Sequence, residues 1–167
     1  MSVELDILDE STQGCALGDE ELCLIANKVL DTVGVLGICM ISLTIVDDSE
    51  IHELNLQWRQ VDRPTDVLSF ECEKPDDPSL GEGEPCELGD IVLAPHYIAC
   101  QAKEFGTSEK DETRLLFIHG ILHLLGYDHE EDGQAKTMQS LEEDILAQIP
   151  NDKTLQAHVL IRHRQED

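Results

Sequence analysis

The sequence predicts a single α+β domain, in which a small mixed β-sheet packs with about five helices and a three-histidine metal site lies at the end of a buried helix. Three observations lead there. Runs with strand character occur both singly and interleaved with helical patterns, and no segment repeats another. One long helical stretch, LLFIHGILHLLG, is apolar almost all round, which places it inside the protein. The chain has 167 residues and is 41% hydrophobic, enough for one full core and short for two.

The elements follow in order. VELDIL (3–8) alternates apolar and polar residues as a half-buried strand does. Asp19 is placed to cap a helix over DEELCLIANKVLDTVG, which has acids in its first turn and Gly34 near its end. CMISLTIV (39–46) is a β-branched strand, after which Asp47, Asp48 and Ser49 offer caps for the helix SEIHELNLQWR. A turn at DRPTD leads into the strand VLSFE (67–71). The next segment, CEKPDDPSLGEGEPCEL (72–88), is rich in Pro, Gly and acids and reads as a surface loop. GDIVLA (89–94) is the last strand, and Pro95 starts the helix HYIACQAKEFG. Ser108 with Asp111 forms an N-cap motif for KDETRLLFIHGILHLLG, and Gly126 closes that helix in a left-handed conformation. GQAKTMQSLEEDILAQI is a further helix, stopped by Pro150. Residues 1–150 are expected to form the domain, and 151–167 a polar C-terminal tail that frays.

Composition narrows the function. The start, MSVELDILDE, is acidic where a secretory signal is basic and then apolar. No apolar run approaches the roughly 20 residues that span a bilayer, so a cytoplasmic protein without membrane association is expected. Cysteines 15, 23, 39, 72, 86 and 100 contain no CxxC pair, and six free thiols are expected. Cys23 and Cys39 read as small buried hydrophobes, while Cys72 and Cys86 flank the acidic loop and would pair only in an oxidising compartment. The net charge of −25 argues against loose binding to nucleic acid, which needs phosphates neutralised by Lys and Arg. Solubility or a high-salt habitat accounts for such a charge; attraction to a basic protein partner is the functional alternative.

Chemistry concentrates in HGILHLLGYDH (119–129). His119 and His123 are four residues apart, on one face of the buried helix and one turn from each other. Gly126 lets the chain reverse so that His129 returns toward them. A lone histidine in an apolar helix is usually a satisfied core residue. Two imidazoles at this spacing, with a third beyond a glycine, leave several ring nitrogens needing partners in a dry place, and a metal satisfies them together. Three imidazoles with one open position describe a catalytic zinc site. The spacing HxxxHxxGxxH also matches the metzincin proteases, HExxHxxGxxH, except that Gly120 replaces the glutamate that acts as general base. His52, His96, His158 and His163 read as structural or solvated, with His96 noted because it follows a strand end.

Three segments together resemble the YbeY family of bacterial endoribonucleases and rRNA maturation factors. HGILHLLGYDH resembles the family signature, LNLQWRQVDRPTDVLSF its N-x-x-(Y/W)-R and T-D-V-L-S-F blocks, and LGDIVLAP its G-D-I strand. The likeness spans most of residues 38–148; the acidic charge, the loop 72–88 and the tail after Pro150 depart from it. The resemblance implies one zinc ion per chain on His119, His123 and His129, with His119 and Arg59 as catalytic residues. It implies single-strand-selective RNA cleavage in late 16S rRNA 3′ maturation and ribosome quality control. The implied partners are single-stranded rRNA, the small ribosomal subunit and an Era-like GTPase; the alternative to the GTPase, a basic small-subunit ribosomal protein, rests on the acidic charge alone.

Zinc polarises phosphoryl oxygens and lowers the pKa of bound water, and an arginine fork matches a phosphate in its transition state. Arg59 is the candidate clamp; either water or the substrate 2′-hydroxyl attacks. Asp128 is either a partner that orients a histidine or a solvated loop residue, and Asp66 either a turn cap or a contact residue. Arg59, Arg63, Lys103, Lys110 and Arg114 are the candidates for a local basic strip, and Glu71, Glu73, Asp76 and Asp77 for docking a basic ribosomal protein. Two alternatives stand beside the nuclease: a non-catalytic ribosome assembly factor with structural zinc, and a metzincin-like hydrolase lacking its glutamate.

Overall fold

The structure, a computed structural model, describes residues 2–128 and 130–155. β1 (Ser2–Asp9) and β2 (Ile38–Ile45) are parallel, joined by α1 (Asp19–Val33). α2 (Asp48–Arg59) leads from β2 to β3 (Val67–Glu71), and the acidic loop leads from β3 to β4 (Cys86–Leu93). β4 lies between β2, to which it is parallel, and β3, to which it is antiparallel, giving the order β1-β2-β4-β3. α3 (Pro95–Phe105), α4 (Glu109–Leu124) and α5 (Asp132–Ala147) complete the described chain. The expected α+β class, mixed sheet and five helices are all present.

Alternation on β2 turns Cys39, Ile41, Leu43 and Ile45 toward one face, where Ile91 and Leu93 of β4 join them. That face meets Leu22, Ile25, Ala26, Val29 and Leu30 of α1, spaced as one stripe of a helix. α4 crosses the same face with almost every residue from Asp111 to Leu124 buried, as its apolar sequence requires. The opposite face is only partly covered: Ile51 of α2 packs with Leu68 and Val92, while Ser42 and Asp90 remain exposed.

The start of α4 is densely hydrogen-bonded. Ser108 Oγ accepts from the Asp111 N–H at 3.0 Å, the expected N-cap. The fully buried Asp111 accepts from Arg114 Nη1 at 2.7 Å, from the backbone N–H groups of Asp152 and Thr154 at 3.0 and 2.9 Å, and from Thr154 Oγ1 at 2.7 Å. Arg114 also donates to Glu21 at 2.7 Å. These bonds hold residues 152–154 against α4, so this part of the polar tail is docked rather than frayed. They also remove Arg114 from any basic strip: it is 6% exposed and committed to carboxylates.

Three further expectations change. Gly18, not Asp19, is the N-cap of α1, and Asp19 is its first helical residue. β4 begins at Cys86 rather than Gly89, because a register shift opposite Met40 and Ile41 admits one extra residue, Leu88, which is fully buried. Cys86 therefore sits in the sheet beside Cys39 instead of in the loop; burial and the neighbouring Cys39 thiol raise its pKa to about 11. Cys23 is only half-buried, and all six thiols are free.

Gly89 sits at that irregularity with φ +140°, and a Cβ there would overlap the Phe70 carbonyl oxygen and touch Leu124 Cδ2 at 3.0 Å. Gly89→Ala is expected to cost more than about 3 kcal/mol, read as a lowered midpoint in denaturant unfolding; an unchanged midpoint would refute this account of the β3–β4 approach. For Asp111, burial pushes the pKa up, but the backbone N–H groups of Asp152 and Thr154, the Thr154 hydroxyl and Arg114 outweigh it and leave the carboxyl below its ordinary value. A folded pKa below the unfolded one gives stability that is complete above the unfolded carboxylate value of about 3.9 and is lost as pH falls through the folded value. Acid titration of stability should show this loss in the native chain. Asp111→Asn should be less stable at neutral pH, with a flatter acid limb.

Candidate metal centre

Helix α4 ends in a Schellman motif: Gly126 N–H donates to the His123 carbonyl at 3.0 Å and Tyr127 N–H to the Leu122 carbonyl at 3.0 Å. Gly126 has φ +100°, the left-handed conformation expected of it. Lys74 Nζ from the acidic loop donates to the Leu124 carbonyl at 3.0 Å and pairs with Glu71 at 2.9 Å. The helix end is thereby fixed, and the reversed chain brings Tyr127 and Asp128 to the same cleft as His123.

Inside that end, the Nε2 atoms of His119 and His123 face each other at 3.0 Å, with ring planes at 83°. His119 is buried at 3% exposure and His123 is half-buried on the cleft side. Two imidazoles on one tetrahedral zinc, each about 2.0–2.1 Å from it, stand about 3.4 Å apart. The pair is therefore within a few tenths of an ångström of ligand geometry. Among the described residues no group of three potential ligands is present; His129, the third expected ligand, lies outside the described residues, as do His158 and His163.

Behind His119, Glu142 Oε2 lies 3.5 Å from Nδ1, with both side chains buried. A carboxylate at the far nitrogen of a histidine is the usual support of a metal ligand, because it fixes the tautomer that leaves Nε2 free to coordinate. The sequence reading overlooked Glu142. Its signal was present: it falls on the buried stripe of α5 with Ala135, Met138 and Ile145, where a lone carboxylate needs a reason.

The cleft outside His123 has a volume of about 270 Å³ and is lined by Arg59, Ser69, Glu71, His123 and the residues of the chain reversal, including Asp128 and Glu130. Arg59 occupies the last turn of α2, held by a turn that Asn55 pins. Asn55 is 4% exposed, its Nδ2 donates to the Arg63 carbonyl at 2.9 Å, and its own carbonyl accepts from Val61 at 3.3 Å. Among the described residues no carboxylate forms an ion pair with Arg59, in contrast to Arg114. Asp66 is a turn cap: its Oδ1 accepts from the Val67 N–H at 2.7 Å and its Oδ2 from Gln101 at 3.2 Å. His52 and His96 pair with Asp62 and Asp48 at 2.7 and 2.8 Å, away from the cleft.

Arg63 follows Arg59 in the turn that Asn55 pins, but the other three members of the expected basic strip, Arg114 among them, lie away from the cleft. Lys110 begins α4 while His123 is near its end, about 20 Å along the axis, and Lys103 sits in the last turn of α3, which leads into that same far end. Gly120, at the position of the metzincin glutamate, turns toward the sheet: a Cβ there would meet Ile91 Cδ1 at 3.3 Å. A longer side chain at this position would press on Ile91 and face the core rather than the cleft, so packing as well as chemistry separates the site from the protease motif.

A family model described as Endoribonuclease YbeY matches residues 9–150. The chain is similar to proteins named Endoribonuclease YbeY from Moorella thermoacetica, 44% identical over 78% of this chain and 88% of the relative, and from Thermobifida fusca, 38% identical over 87% and 93%. Its fold is similar to a solution structure from Thermotoga maritima, with TM-score 0.55 and 29% identity over 91% of this chain and 99% of that one. The cleft at the end of α4 is thus carried by a domain matched along nearly its whole length, and the chain belongs to the endoribonuclease YbeY family.

Proposed function

We propose that this chain is a zinc-dependent endoribonuclease that cuts single-stranded RNA at the cleft between α2 and the end of α4. The observation that carries this reading is that Arg59, with no carboxylate paired to it among the described residues, lines the same cleft as His123, whose Nε2 meets that of buried His119. Phosphodiester cleavage builds negative charge on the phosphoryl oxygens, and a guanidinium fork in a partly enclosed site stabilises that charge. His119, His123 and His129 would hold the metal, with Glu142 keeping the His119 proton on Nδ1. Zinc, when bound, supplies Lewis acidity toward the phosphoryl oxygen.

The acids of the cleft support this division of labour. Glu71, Asp128 and Glu130 line it, and alone they would repel a phosphodiester. Lys74 offsets Glu71 from within the protein, and a divalent cation on the histidines would offset the others. Family membership and the −25 charge support the wider setting: late 16S rRNA 3′ maturation and ribosome quality control at the small subunit in the cytoplasm, beside a basic ribosomal protein or an Era-like GTPase. No described helix is long and apolar enough to cross a membrane.

Purified without chelator, the chain should carry one zinc and cleave an rRNA fragment with a single-stranded 3′ tail, while His123→Ala should lose both metal and cleavage. Arg59→Ala should keep its zinc and lose about 10²–10³ in kcat. Stoichiometric zinc with no cleavage, even with ribosomal subunits added, would favour the assembly factor instead. Glu142→Ala should weaken zinc binding about 10–100-fold in competition with a chromophoric chelator, with Glu142→Gln recovering part of the loss; equal affinity in all three would remove the orienting role.

A further inference from the structure

Trp58 is the chain's single tryptophan and is 61% exposed. An indole left this open forgoes a large burial gain. It has an aromatic neighbour. Its ring stands edge-on to Phe70, with centroids 6.3 Å apart and planes at 67°. It lies in the last turn of α2, which stops at Gln60 in the left-handed conformation, φ 58°.

Its position is as informative as its exposure. Trp58 is the chain neighbour of Arg59, and Phe70 lies between Ser69 and Glu71, which line the cleft with Arg59 and His123. Phe70 points to the face of β3 opposite Ser69 and Glu71, so the indole stands beside the cleft rather than in it, one residue along α2 from Arg59, where a nucleotide adjoining the engaged phosphate would leave the site. We infer that Trp58 is a stacking platform for one unpaired nucleobase of the strand whose phosphate Arg59 engages. This rests on the nuclease reading above and supplies a physical origin for its strand selectivity. A base inside a duplex is covered on both faces by its neighbours, whereas a single strand offers a free face to an indole.

Charge gives such a platform a use. The net charge is −25 and Lys103, Lys110 and Arg114 lie away from the cleft, which leaves Arg59 and its neighbour Arg63 as the arginines at that end of α2, so few side chains are available to neutralise phosphates. Stacking is insensitive to net charge and tolerates every base, so it suits an acidic protein acting on RNA. A ribosomal protein seated on the indole is the competing occupant, and the proximity of Arg59 favours the nucleotide.

The single tryptophan provides its own probe. Zinc-loaded full-length protein would be titrated with a short single-stranded 2′-O-methyl RNA, which resists cleavage by a 2′-hydroxyl, and with a blunt duplex of the same sequence. Intrinsic fluorescence would be followed, with anisotropy of dye-labelled RNA in parallel samples. The single strand should quench Trp58 in step with binding, and the duplex should not. Trp58→Leu should weaken single-strand binding about tenfold and narrow the preference for single-stranded over duplex substrate in cleavage, while Trp58→Phe keeps most of both. Binding without quenching, or unchanged affinity in Trp58→Leu, would overturn the platform and leave the nuclease reading standing. If the native chain neither binds nor cleaves RNA, both fall together. Quenching by a basic ribosomal protein but not by RNA would overturn the platform and assign the indole to a protein partner.

Discussion

The approach of α4 to the sheet, closed at Gly120 against Ile91, governs the rest of the molecule. A helix buried along nearly its whole length has to lie close to its strands, and at this point a Cβ would already press on the isoleucine. That proximity fixes the distance of the helix from the strands, and with it the depth at which buried His119 stands. It also explains why a motif spaced like a protease signature does not carry the protease base.

Burying such a helix leaves polar groups in the interior at both ends, and the two ends are treated differently. At the first turn, Asp111 and Arg114 are paired with each other and bonded by Glu21, Asp152 and Thr154, so neither buried charge is left alone and the geometry is fixed. At the last turn, His119 and His123 face one another, with Glu142 behind His119. One end is a satisfied anchor; the other has the form of a ligand set. The same contrast separates the two arginines, since Arg114 is spent on structure while Arg59 remains open to the cleft.

An acidic protein that works on RNA has to confine its attraction to one place. The loop after β3 contributes to this by using several of its own charges internally: Lys74 pairs with Glu71 and caps α4, Glu73 accepts from the Glu87 N–H at 2.9 Å, and Asp77 accepts from the Ser79 N–H at 2.9 Å. Its acids are thus partly structural, and the loop helps fix the helix end at the site. On the proposed reading, specific attraction is left to Arg59, a metal on the histidines and the exposed indole.

Local patterns in the sequence were sufficient for the elements, because alternation on β2, the stripe of α1, the Ser108 cap and the turn at Gly126 are decided by residues a few positions apart. They were sufficient also for the pairing of His119 with His123, since a four-residue spacing on a helix fixes relative direction. They misplaced the start of β4, where the extra residue Leu88 is accommodated by a neighbouring strand, and they took Arg114 for a surface charge because its partners lie as far away as Glu21 and Asp152. Glu142 and Trp58 were hidden for the same reason. One carboxylate among 36 acids shows its purpose only when the fold brings it to a histidine nitrogen, and one tryptophan shows its exposure only when its neighbours are in place. The sequence by itself determined the helices, the strands and the ligand spacing, which depend on short-range periodicity. Which charges are spent and which remain for function was decided by tertiary structure alone, because burial and pairing depend on residues distant in the chain.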